Sequence, residues 1–193
     1  MIIDVQQDVL PEGTLPVDGT REVLPSLQKL ASHWRQTGRP LIHVMRIYQP
    51  DGSNVDLCRR TLVGRKQVLA PGTPGVELVA DLLGAGVDYD WQRLLTGDPV
   101  ALTEHEWLMY KPRWSAFQQT GLRGLLDAQH TTTVVVAGCN FPNCPRSTVY
   151  DATAQDFRTA FVADATSGTY PQGLAELANI GVNVVDTATC LAN

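Results

Sequence analysis

The chain has 193 residues, 44% hydrophobic and 18% charged, with a formal net charge of −5. Such a chain forms one domain able to bury roughly 70% of its unfolded surface, and its charge argues against the clustered basic face of a nucleic-acid binder. No apolar run reaches the ~18 residues of a membrane helix, no charged and apolar leader opens the chain, and the four cysteines (58, 139, 144 and 190) include no C-x-x-C pair, so a reduced, cytoplasmic protein is expected. The short basic runs Cys58-Arg59-Arg60 and Arg65-Lys66 are too scattered for a binding face and read as solvated loop or subunit contact.

Met1-Ile2-Ile3-Asp4-Val5 reads as a short apolar strand ending in a carboxylate, short enough to allow a start a few residues upstream. Gln6 to Pro16 reads as loop, broken by Pro11, Gly13 and Pro16. Val23, Leu24, Leu27, Leu30, Ala31 and Trp34 then recur at helical spacing before Gly38, and Pro40 to Arg46 is a second strand. Residues 47–103, rich in Gly and Pro, are the least regular stretch, with one helix expected around Val76–Leu83. A long excursion of this kind inside a compact domain is more often functional than idle.

Trp107 to Lys111 is a third strand ending at a lysine, and Leu122, Leu125, Leu126 and Ala128 mark a helix. The β-branched run Val134-Val135-Val136 is a buried strand bounded by Gly138. A helix starts at Cys144, with Pro145 where proline's missing N–H and fixed φ are tolerated, and runs to about Gln155. Arg158–Asp164 is a fifth strand, Leu174 to Ile180 a helix, and Val182–Val185 a sixth strand. Strands alternating with helices predict an α/β fold: a three-layer α/β/α sandwich on a six-stranded, mostly parallel, Rossmann-like sheet, with residues 1–193 as a single domain.

Ligand sites of such sheets lie beyond the carboxyl ends of the strands. Asp4, Lys111 and the 138–144 turn each occupy such an end. At a helix N-terminus, free N–H groups and the helix dipole would favour a Cys144 thiolate. A thiolate there can attack a carbonyl while the same N–H groups hold the oxyanion. Taken alone, Cys144 reads equally well as a buried structural cysteine.

Three separated segments carry a family resemblance. Ile2-Ile3-Asp4-Val5-Gln6-Gln7-Asp8, Lys111-Pro112-Arg113-Trp114-Ser115-Ala116-Phe117, and Gly138-Cys139-Asn140-Phe141-Pro142-Asn143-Cys144 followed by Thr148 and Ala152 resemble the opening strand, lysine segment and nucleophile turn of the isochorismatase-like cysteine hydrolases. Nicotinamidases and N-carbamoylsarcosine amidohydrolases belong to that family. The resemblance covers nearly the whole chain. It implies Asp4 as general base, Lys111 as its cationic partner, Cys144 as nucleophile, a cis peptide before Asn140, and an oxyanion hole from the Asn140 and Cys144 N–H groups. It also implies a homo-oligomer, dimer or tetramer, with residues 47–75 as the natural contact.

The pattern departs from the family at Cys139, Asn140, Phe141 and Pro142, which suggests a differently shaped pocket. Phe117 and Phe141 are its expected walls, ahead of Trp107 and Trp114. Arg46 and Tyr48 leave the second strand beside the site as candidates for a polar or anionic group, with a fold-stabilising role the alternative. Nicotinamidases bind a metal through an Asp and histidines in the 40–75 region. This chain offers only His43 and Asp51 there, so neither metal nor cofactor is expected. No G-x-G-x-x-G follows the first strand, and Gly84-Ala85-Gly86 is misplaced for a dinucleotide site.

The reading is a hydrolase cleaving a C–N bond of a small amide, ureide or lactam through a thioacyl enzyme. One alternative is vinyl-ether hydrolysis by Asp4 and Lys111 without the thiol. The other is a non-catalytic binding or assembly protein on the same scaffold.

Overall fold

Neighbouring residues of each central strand face opposite layers, and both layers are apolar. In the computed structural model, residues 1–63, 67–83 and 87–192 are described. The runs Arg65-Lys66 and Gly84-Ala85-Gly86 lie outside them. The strands are β1 (Ile2–Ile3), β2 (Leu41–Met45), β3 (Val100–Ala101), β4 (Glu106–Tyr110), β5 (Thr133–Gly138), β6 (Arg158–Thr166) and β7 (Asn183–Val185). The helices are α1 (Leu24–Gln36), α2 (Arg60–Val63), α3 (Trp91–Leu94), α4 (Leu122–Ala128), α5 (Cys144–Ala154), α6 (Pro171–Asn179) and α7 (Thr187–Leu191).

Ile2, Leu41, Ala137 and Val162 pack one face of the sheet against Leu27, Leu30, Ala31 and Trp34 of α1, with Cys190 and Leu191 of α7 at the margin. Ile3, Ile42, Val44, Val136 and Phe161 pack the other face against α4 (Leu122, Leu126), α5 (Val149, Ala152) and α6 (Leu177). This is the expected three-layer sandwich.

The sheet has seven strands, one more than the sequence predicts, in the order β3-β4-β2-β1-β5-β6-β7. The extra strand, β3, pairs antiparallel with β4 at the edge through only two residues, too few to give a periodic signal. The remaining pairs are parallel. From β1 the chain builds outward through β2 and β4 on one side and β5, β6 and β7 on the other. The order therefore reverses between β1 and β5, where α/β sheets place their ligand crevice.

The helix expected around Val76–Leu83 is replaced by two short 3₁₀ turns, Pro74–Val76 and Ala80–Leu82. The backbone between them pairs elsewhere: Val79 N–H donates to Val5 O at 3.1 Å, and Gln6 bridges Leu78. Those bonds compete with an α-helical ladder. Elsewhere in the excursion Ile47, Val55, Val68, Leu69, Val76 and Leu78 form an apolar cluster against Leu108 and Tyr110 of β4. No helix among the described residues is long and apolar enough to cross a membrane.

Candidate active site

Four adjacent strands, β4, β2, β1 and β5, end at one rim and deliver Lys111, Arg46, Asp4 and the 138–144 turn. Asp4 terminates β1 in a left-handed conformation (φ 52°), and its N–H is held by Val44 O at 2.8 Å. Asp is among the few residues that tolerate this region, and such departures cluster at functional sites. Lys111 follows β4, and its N–H donates to Met45 O at 3.0 Å.

The Lys111 ammonium has no exposure to solvent. Its Nζ lies 2.9 Å from Asp4 Oδ2, 3.1 Å from Cys144 Sγ and 3.3 Å from Arg113 O, one contact for each of its three donors. This is a fixed internal cation, not a surface side chain lying along an apolar patch. The Asp4–Lys111 pair leaves Asp4 Oδ1 buried with no hydrogen-bond partner among the described residues.

Cys144 is the first residue of α5 and is partly buried. Burial pushes its thiol up to about 12; the Asp4 carboxylate adds to the rise, and Lys111 opposes it. Desolvation and the neighbouring carboxylate thus work against the thiolate that the helix N-terminus would favour. Cys139, three per cent exposed, is also held protonated, pushed by burial to about 11, and accepts a hydrogen bond from Thr20 Oγ1 at 3.5 Å.

The turn carrying Cys144 is built on Gly138, whose φ of +124° and close approach to Ile3 exclude a side chain: a Cβ there would lie 2.2 Å from Ile3 O. The peptide bond before Asn140 is trans, as are all those of the described residues, contrary to the cis bond that the resemblance implies. Cys139 N–H reaches Ile3 O at 2.7 Å and Phe141 N–H reaches Ser167 O at 2.8 Å. Among the described residues, no backbone hydrogen bond of the turn uses the Asn140 or Cys144 N–H as donor.

A cavity of about 140 Å³ opens onto this rim, lined by Asp4, Arg46, Tyr48, Arg59, Cys139, Asn140, Asn143 and Cys144 together with the apolar Val9, Leu15, Pro16, Val17 and Leu69. Arg46 and Tyr48 thus stand at the site as the sequence suggests. Phe117 and Phe141 do not. Phe141 is fully buried against Phe161 (ring centroids 5.1 Å apart) and Tyr170, and Phe117 stacks on Phe157 at 6.0 Å, so their apolar surface completes the core beneath the rim. Trp107 is also core, and Trp114 lies 36% exposed.

Arg46 is buried, its Nη2 2.5 Å from Asp56 Oδ2 and its guanidinium over the Tyr48 ring at 4.9 Å, while Nε and Nη1 have no partner among the described residues. Arg59 Nη1 donates to the Tyr48 hydroxyl at 3.0 Å. Sequence reasoning missed the groups that hold this wall. Gln6, buried in what reads as loop, takes the Arg46 N–H on Oε1 at 2.9 Å and donates through Nε2 to Arg46 O and Val76 O at 2.8 and 2.6 Å. Asp8 accepts from Leu69 N–H at 2.6 Å and ties the excursion to the end of β1. Arg59 was hidden in a run that reads as a solvated basic loop.

His43 lies inside β2 with Nε2 2.7 Å from Glu106 Oε1, and Asp51 sits in an exposed turn. Among the described residues no group of three or more His, Cys, Asp or Glu side chains is placed to hold a metal ion.

Comparison with known proteins agrees with the geometry. Residues 90–189 match the isochorismatase domain family model. A probable inactive nicotinamidase of Arabidopsis thaliana is 31% identical over 190 residues, covering 94% of this chain and 88% of the relative. A ureidoacrylate amidohydrolase of Methylobacterium radiotolerans is 27% identical over 93% of this chain and 71% of its own. The crystal structure of an isochorismatase family protein from Desulfovibrio vulgaris superposes with a TM-score of 0.82 at 30% identity, covering all of this chain and 96% of the other. The chain belongs to the isochorismatase family.

Proposed function

We propose that this chain is a cysteine hydrolase that cleaves a C–N bond of a small amide, ureide or lactam, with residues 1–193 forming one hydrolase domain. The observation that carries the reading is the Lys111 ammonium, buried in contact with both Asp4 and Cys144. A buried lysine shared by a carboxylate and a thiol has little structural purpose that an apolar residue would not serve as well.

In this reading Cys144 Sγ attacks the substrate carbonyl and its proton passes to Asp4 Oδ1, so no thiolate is needed at rest. Lys111 offsets the charge gathering on sulfur and carboxylate. The Asn140 and Cys144 N–H groups receive the developing oxyanion. Asp4 returns its proton to the leaving nitrogen as the C–N bond breaks, giving ammonia or an amine and a thioacyl enzyme. Asp4 then takes a proton from water as the water oxygen attacks the thioester, and passes it to the Cys144 sulfur as the C–S bond breaks, so that the acid leaves and both groups are restored.

The test is release of ammonia or amine from a panel of small amides, ureides and lactams. Cys144→Ala and Cys144→Ser should each fall at least about a thousandfold below the wild type. Activity retained in Cys144→Ser on a vinyl ether would move the assignment to the thiol-independent reaction. No turnover with an inert thiol would move it to a binding protein. We place the enzyme in the cytoplasm as a homo-oligomer; the 47–75 segment, with Leu57 80% exposed, supplies an apolar contact.

A further inference from the structure

We propose that Thr148 is a positioning residue for the contact between Cys144 and Lys111: its buried hydroxyl fastens the loop that follows Lys111 to the first turn of α5, which carries Cys144. The inference rests on the hydrolase reading only for its effect on turnover, and part of its test needs no substrate.

A threonine hydroxyl has one proton to give and lone pairs to receive, and Thr148 uses both. Its Oγ1 donates to Cys144 O at 2.8 Å, one turn back along α5, and accepts the Ala116 N–H at 3.0 Å. Neither Thr148 nor Ala116 has any exposure to solvent. Ala116 is also held at its other end, where its carbonyl accepts from Thr120 Oγ1 at 2.5 Å. Back-bonding to a carbonyl four residues earlier is common for helical threonines. The exposed Thr37 does so with His33 O, within α1. At Thr148 the same hydroxyl also reaches out of its helix, to a buried N–H that would otherwise lack this acceptor.

The loop that Thr148 holds also fixes the ammonium. Arg113 O lies 3.3 Å from Lys111 Nζ, which lies 3.1 Å from Cys144 Sγ. A closed circuit results. It runs from Lys111 Nζ to Cys144, through the Cys144 carbonyl to Thr148, across to Ala116, and back along the chain to Arg113 and Lys111 Nζ. Lys111 follows β4 and Cys144 follows β5, and β2 and β1 stand between those strands in the sheet. Their spacing is therefore set by groups that cross the rim: Asp4 bridges it through its 2.9 Å contact with Lys111, and Thr148 bridges it a second time. Misplacing reacting groups by about 1 Å can cost about 10² in rate.

Four variants test this. Thr148→Val keeps nearly the same shape without the hydroxyl, and Thr148→Ser keeps the hydroxyl. Thr148→Ala removes it but leaves room for water at the Ala116 N–H, and so carries the test should the valine variant not fold. Val149→Ala, a core position on the same helix, is a destabilised control. Each is labelled with iodoacetamide at pH 8 and read by peptide mass spectrometry: Cys144 sulfur bonds to carbon, iodide leaves, and the thiol proton passes to Asp4 or solvent.

Lys111 is a neighbour that favours ionisation of Cys144. Loss of the clamp should therefore slow labelling about threefold or more in Thr148→Val and Thr148→Ala, with Thr148→Ser within about twofold of the wild type. Mere loosening of the fold acts the other way, since further exposure of the thiol relieves its desolvation and speeds labelling, as Val149→Ala should if it changes the rate at all. On whichever panel amide the wild type hydrolyses, kcat should fall about tenfold or more in the valine and alanine variants, with KM within about twofold and the serine variant restored.

Unchanged or faster labelling in Thr148→Val and Thr148→Ala, a wild-type kcat in them, or a serine variant no better than the alanine one overturns the assignment. If no amide is turned over but the labelling pattern holds, the positioning role stands and the hydrolase reading falls. If amides are hydrolysed with kcat and labelling both indifferent to the Thr148 hydroxyl, the reverse holds.

Discussion

The Lys111 ammonium lies 3.1 Å from the Cys144 sulfur while its other close partner, Asp4, holds the carboxylate that raises the same thiol. The two neighbours act on Cys144 in opposite directions. Removing one or the other therefore has opposite effects on thiol reactivity, although both removals should stop turnover.

Asp4→Asn takes away the negative charge and the proton acceptor together. Cys144, left beside Lys111 alone, should ionise at lower pH, and its iodoacetamide labelling at pH 8 should speed up several-fold. Amide hydrolysis should fall by about 10²–10⁴. Wild-type Cys144 should label more slowly than the unfolded chain at that pH, because its thiol stands at about 12. Peptide mass spectrometry and an ammonia assay on the same preparations check both signs.

Lys111→Met should destabilise the fold by about 3–5 kcal/mol, since it leaves Asp4 as a buried carboxylate without its ion-pair partner. The double variant Lys111→Met, Asp4→Asn should recover part of that loss and no activity. Urea midpoints at constant slope report the stability.

Much of this arrangement was legible in the sequence. Asp4, Lys111 and the 138–144 turn lie at strand ends that apolar runs identify, and a mostly parallel sheet follows from the helices between strands, whereas the strand order is seen only in the structure. The groups that hold the Arg46–Tyr48 wall were not legible. Gln6 lies among turn residues, and nothing local marks a glutamine whose amide meets Arg46 and Val76, 40 and 70 residues away. The Val76–Leu83 spacing suits a helix, but pairing with Val5 and Gln6 overrides local preference. Phe141 misleads for a different reason: an aromatic on an active-site turn suits a pocket wall or a core plug, and only the partner ring of Phe161 decides between them.

Glu106 ties β4 to α1 and β2. Burial pushes its carboxyl up, but hydrogen bonds from Arg35 and His43 outweigh this and hold it at about 2. A folded value below the unfolded one means that the unfolded state binds more protons on acidification. The stabilisation is thus complete above about 4.5 and lost as the pH falls towards about 2. Glu106→Gln should be less stable at pH 7, and its stability should fall less steeply over that acid range than the wild type's, as followed by denaturant titrations at successive pH values.

Gly138→Ala should lose about 3 kcal/mol or more, because a Cβ would sit 2.2 Å from Ile3 O and 2.6 Å from Ile3 N at a φ of +124°. Gly124→Ala, where a Cβ meets nothing within 4 Å on α4, should be neutral or mildly stabilising. Thermal unfolding of the pair checks that the nucleophile turn, rather than glycine loss in general, sets the cost.

The central claim is that Cys144 carries the acyl group during turnover. It is tested most directly by acid-quenching the enzyme with each small amide or ureide that it hydrolyses, then measuring intact and peptide masses. The account predicts an adduct of the acyl mass on the peptide holding Cys144, absent from Cys144→Ala, which also no longer turns over. Hydrolysis at the wild-type rate by Cys144→Ala, or an acyl adduct on another residue, would contradict it.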